Sequence, residues 1–274
     1  MTPMISVISP RQTFEDNMRP AQLLLRVYRL LDSNDRIVTE GDVVTALRGV
    51  VQASADEELM LIYNEIFMGL VRERAQIPRS ALRQGTLCHL LRQAVVASCT
   101  ALETYLPALL RANLPVLIRA RGRDFVPRGD RIVRDFFNNL RFSLDETLRL
   151  LGDETAPEYI SNKIVGFIDF SYLSGDRGVH VVGALMALSE PWSQISGHLN
   201  RAEDELRRTL NATVKRRNDI VHRADRSQDD PGGDQQGITY AWTQQAVDTV
   251  NHICLALDEL VATRVAELEA MLAA

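Results

Sequence analysis

Lys215, Arg216, Arg217, Asn218 and, four residues later, His222 are the densest run of phosphate-seeking and proton-moving side chains in the sequence. A guanidinium offers paired donors to an anion, an amide orients it, and an imidazole takes up and returns a proton near neutral pH. That set suits phosphate-ester chemistry. On an α-helix Asn218 and His222 are separated by only ~40° and share a face. Arg217 stands about 140° from His222 on an ideal helix, so only its long side chain or a distorted last turn brings it to the same pocket.

Several elements must position these residues. A helix opening near Gly197 carries Leu199, Leu206, Leu210, Val214 and Val221 at helical spacing, which predicts its buried side. A polar, glycine-rich linker follows at residues 227–237. A last long helix is expected over residues 239–272, with Ala246, Val250, Ile253, Leu257, Leu260 and Val261 as its stripe. Upstream, residues 80–114 read as another long helix, with Val95, Leu102, Leu106 and Leu109 inward. Pro107 predicts a kink near Glu103. Glu103 lies on or near that apolar side, where a carboxylate calls for a cationic partner.

Two stretches carry a family resemblance. Arg217-Asn218, three residues, then His222 and Arg223-Ala224-Asp225 resembles the motif of the HEPN superfamily, closest to its RiboL-PSP-type branch. Ser98, Glu103 and Tyr105 resemble a second HEPN element, a core helix with the pattern Ser-x4-Glu-x-Tyr. The resemblance runs over residues 80–272 and implies an all-α, HEPN-like helical bundle. It also implies a metal-independent endoribonuclease working as a homodimer, with a composite cleft between two copies of the motif.

In that setting Arg217, Asn218 and His222 are the expected catalytic residues, and Glu103 has a supporting role, pairing with an arginine beside the motif and positioning it. RNA supplies its own nucleophile, the 2′-hydroxyl. The cleft need only remove its proton, stabilise the charged phosphorane and protonate the leaving oxygen. Lys215, Arg216 and Arg223 would hold flanking phosphates. Arg121 and Arg123 belong to an arginine-rich stretch, residues 119–134, interleaved with Phe125, Gly122 and Gly129; such a loop could bind single-stranded RNA, or simply be solvated. The setting implied is a toxin or anti-phage defence effector restrained by an inhibitory antitoxin or a sensor protein. The alternative is a non-catalytic HEPN-like module that binds RNA, nucleotide or a protein partner. Arginine, aspartate and histidine at a helix end also form plain salt bridges and caps.

Composition narrows the field. The 274 residues are 46% hydrophobic, enough for one large core or two small ones. Leu, Arg and Ala are the commonest residues, a helical palette. The net charge of -5 removes any global attraction for nucleic acid, so an RNA site must be a local patch. Lys163 and Lys215 are the only lysines, so arginine supplies the other basic residues. Three widely spaced cysteines, Cys88, Cys99 and Cys254, with no secretory signal, lead us to expect reduced thiols in the cytoplasm. Cys88, His89 and Cys99 fall on one helix and cannot converge, so neither metal nor cofactor is expected. No apolar run approaches the ~20 residues a membrane span needs.

The remainder reads as a small helical N-terminal region, residues 1–78, of unknown role, ahead of the HEPN-like domain at 79–274. Residues 1–17 look weakly patterned. Helices are expected from Pro20 to Leu31, from the Thr39–Asp42 cap to Val51, and over residues 54–74. Asp130 is positioned to cap a helix bearing Ile132, Val133, Phe136 and Phe137. Residues 152–180 are turn-rich and favour short helices.

Overall fold

The computed structural model describes residues 9–32, 84–127, 129–138, 140–150, 155–169, 174–230 and 232–274. The expected helices between 39 and 74 and the boundary at 78 lie outside them. Among the described residues every regular element is helical, with no strand, so the protein is all-α. No helix there is long and apolar enough to cross a membrane.

Helix α1 (Pro10–Leu31) opens ten residues earlier than Pro20, the expected start. The Ser9 side chain accepts a hydrogen bond from the Gln12 amide and Pro10 occupies the first turn, a strong start signal. Phe14, Met18, Ala21, Leu25 and Tyr28 recur at helical spacing and are buried. They pack on α2 (Gln84–Arg121), the helix that α1, the closing helix and three others all touch. Helix α2 runs through both Pro107 and Pro115 and ends at Arg121 rather than near Leu114. Pro107 has no amide to give the carbonyl of Glu103, which loosens the backbone there without ending the helix. Tyr105 tilts against Phe14, with centroids 5.2 Å apart, and its hydroxyl donates to Asp258 at 3.1 Å.

Short helices α3 (Arg131–Phe137), α4 (Leu144–Leu150) and α5 (Ala156–Asp169) follow. Asp130 does cap α3: one oxygen accepts from the Val133 amide at 3.0 Å, and the other lies 2.6 Å from His180 Nε2. Burial pushes this carboxyl up, but the amide bond and His180 outweigh it, so its pKa is held below the ordinary aspartate value. A depressed carboxylate stabilises the fold above its unfolded pKa, and that contribution is lost as pH falls through the folded value. In urea unfolding at a series of acidic pH values, wild type should therefore exceed Asp130→Asn by a margin that shrinks as pH falls below about 4.

Helices α6 (Gly175–Leu185), α7 (Pro191–Leu199) and α8 (Glu203–Arg223) lead to the motif. The motif helix does not open near Gly197, which sits within α7. Asn200, at φ 50°, ends that helix in a left-handed turn, and α8 begins afresh at Glu203. Helix α9 (Tyr240–Ala273) starts where expected, with Thr239 accepting from the Trp242 amide at 3.3 Å. Its residues Ala246, Val250, Ile253, Leu257 and Val261 are buried.

Candidate functional site

The site is built where the last two turns of α8 cross α2. Arg92, Cys99 and Glu103 are separated by seven and four residues, so they form one stripe of α2 within about 40° of each other over three turns. Leu206, Leu210, Thr213 and Ile220 make the buried side of α8, and Arg217 projects from the same side. That is why its side chain is only 18% exposed.

Arg217 Nη2 donates to Glu103 Oε1, so the arginine that the acid pairs with is one of the motif itself. The Arg217 Nε is buried with no hydrogen-bond partner. Beneath the pair lies the thiol of Cys99. Burial pushes it up to about 11, against the pull of the Arg217 charge, so it is a protonated, inert packing group at neutral pH.

Asn218 is half-buried and His222 exposed, on one flank of the last turns. Neither has a hydrogen-bond or ion-pair partner among the described residues. The structure thus brings Arg217 to Glu103 and leaves Asn218 and His222 open to a ligand. Within one chain Arg217 points toward α2 while His222 lies on the exposed flank. Val221, expected inside, is 52% exposed, one residue and about 100° round the helix from buried Ile220.

Three of the expected RNA contacts are already engaged within the chain or lie away from the motif. Arg216 does not face solvent ready for a phosphate. Its Nη2 donates to Asp225 Oδ2 at 2.9 Å and to the carbonyls of Gln236 and Gly237 at 3.1 and 2.9 Å, and its Nε lies 2.6 Å from Asp225 Oδ1. It also sits 5.8 Å from the centroid of the Trp242 ring. Arg223 is bonded to Asp219 one turn earlier, which restrains it. Arg121 lies eighteen residues beyond Glu103 on α2, about 27 Å along the axis, and so is not part of this site. Arg123 is in the short 3-10 turn that follows, and its side chain lies outside the described residues, as does Arg128. Lys215 is exposed, without a partner among the described residues, on the same side as His222.

No role was expected for Asp225, the last residue of the motif, and Arg92 was not singled out. Asp225 is fully buried and paired with both Arg216 and Arg92, the latter through Arg92 Nε at 2.6 Å. Arg92 Nη2 adds a bond to the carbonyl of Gln236 at 3.0 Å. A usable signal existed: Arg92 occupies the same stripe of α2 as Glu103, an odd place for an arginine without an acidic partner. No cluster of His, Cys, Asp and Glu able to hold a metal occurs among the described residues.

No protein-family model matches the chain, and no curated protein or solved structure does. The class that the described residues define is an all-α protein in which Arg92 of α2 joins Arg216 and Asp225 in a buried ionic network at the end of α8.

Proposed function

We propose that the protein is a metal-independent endoribonuclease of HEPN type, a HEPN-like bundle acting in the cytoplasm as a homodimer. The observation that carries this reading is the unpartnered Asn218–His222 flank at the end of α8, next to an arginine that Glu103 holds in place. His222 moves the proton of the 2′-hydroxyl or of the leaving oxygen. Asn218 orients the phosphate. Arg217 supplies positive charge at the rim of the crevice, and Lys215 holds a neighbouring phosphate. In-line displacement needs a base and an acid on opposite sides, and two copies related by a two-fold axis supply two imidazoles. Arg216 and Arg223 serve the reaction by holding the end of α8, not by touching RNA.

The products would carry 2′,3′-cyclic phosphate and 5′-hydroxyl ends. Incubating the purified protein with bulk RNA in EDTA and mapping the cut ends tests this. Those ends are the expected result; intact RNA, or 5′-phosphate ends, would contradict it. Glu103→Gln should lower the cleavage rate roughly tenfold, the effect of one mis-set charge-assisted hydrogen bond, with melting little changed because Glu103 is one-third exposed. An enzyme of this kind would be a toxin or anti-phage effector, restrained by an antitoxin or a sensor protein.

A second reading draws on the placing of Arg217 toward α2, away from the flank that bears His222. A module that binds RNA, nucleotide or a protein without cutting needs no convergence of the two. Growth arrest on expression, relieved by His222→Ala, separates an enzyme from such a module.

A further inference from the structure

We propose that Asp225 is a positioning residue for His222, acting through the backbone of the last turn of α8; this rests on the ribonuclease reading. Ala224 and Asp225 stand at φ 49° and 65°, two successive left-handed residues with no glycine between them. That region is uncommon for side chains other than glycine, asparagine and aspartate, and persists only where the surroundings over-determine it. Here they do. The Asp225 amide donates to the carbonyl of Asp219 at 2.9 Å, closing a loop of backbone with His222 at its centre. The Asp225 carbonyl accepts from the Gln236 amide at 2.8 Å, and Gln235 Nε2 donates to the Ala224 carbonyl at 3.0 Å. The buried carboxylate is gripped from both sides, by Arg92 of α2 and Arg216 of α8.

His222 has no side-chain partner of its own among the described residues. Its direction is therefore inherited from that closed turn, and the turn is fastened to α2 through Asp225. A site that lacks a side-chain support for its proton carrier depends on whatever fixes the backbone beneath it. Arg92 reaches Asp225 from three turns before Glu103, so one helix sets both the arginine of the site, through Glu103, and the imidazole, through Asp225.

The test uses the full chain with Asp225→Asn and Arg92→Lys. The lysine variant keeps the charge, so its effect reports geometry alone. Single-turnover cleavage should fall ~10- to 100-fold in both, with RNA affinity changed less than about twofold, the signature of a misplaced group rather than a lost contact. In carbon–proton correlation spectra the His222 ring signals should move in both variants while those of His252, exposed on α9, stay put. If wild type cuts no RNA, the ribonuclease reading fails, and the ring signals still decide whether Asp225 positions His222. Should Asp225→Asn not fold, Arg92→Lys decides alone. A folded Arg92→Lys protein with unmoved His222 signals and wild-type cleavage would overturn the proposal. So would failure of both variants to fold, since the latch would then serve folding and not placement.

Discussion

His222→Ala is expected to slow RNA cleavage by ~100- to 10,000-fold, the range for removing a general acid or base. The melting temperature should not move measurably. His222 is exposed, has no partner among the described residues and lies in the last turn of α8, so its removal opens no cavity and strands no charge. The contrast between a large kinetic effect and an absent stability effect is what separates a reactive group from a helix cap. Parallel initial-rate and thermal-melt measurements on the two proteins check it. A variant that melts several degrees lower yet cuts RNA at the wild-type rate would make His222 a structural residue.

Asp225→Ala, by contrast, should destabilise the fold severely, in addition to any effect on cleavage. The carboxylate is fully buried between Arg92, whose side chain is 6% exposed, and Arg216, at 16%. Removing one partner of a buried ionic group costs about 3–5 kcal/mol because the other charge is left without compensation. Two guanidinium groups are left here. Aspartate is also better tolerated than alanine in the left-handed conformation that residue 225 adopts, so strain adds to the loss. Arg92→Ala should cost less than Asp225→Ala, since Arg216 stays paired. Denaturant titration of the three proteins checks the order. Equal stability of wild type and Asp225→Ala would mean that the network contributes nothing to folding.

Much of the fold was legible in the residues, for identifiable reasons. Strong helix formers and sparse aromatics pointed to an all-α chain, and the stripe of α9 behind Thr239 could be read almost to the residue. The start of α1 was also written in the sequence, as Ser9-Pro10 ahead of Phe14 and Met18, but a proline at position 20 reads as a helix start. It sits instead inside the helix, on its exposed side. The break at Asn200 depends on a backbone conformation that asparagine permits but does not compel. Within the site, an arginine partner for Glu103 was foreseeable, though not which arginine, and the Arg216–Asp225–Arg92 network was not. Spacing shows which residues share a face, but it does not show which of two adjacent arginines turns inward. Arg216 and Arg217 are 100° apart on the helix, and the choice between solvent and interior is made by α2 and by the loop after α8.

The central claim is that one reactive crevice is assembled from two copies of the chain. Mixing wild-type protein with increasing amounts of His222→Ala under conditions where dimers exchange, and following RNA cleavage at constant wild-type concentration, tests it most directly. If base and acid come from different copies, each mixed dimer is crippled. Activity should then fall as the variant is added, to about half with equal amounts of the two chains, since wild-type pairs then make up about a quarter of all dimers. Activity that stays constant whatever the excess of variant, or an absence of cleavage by wild-type protein alone, would contradict the account.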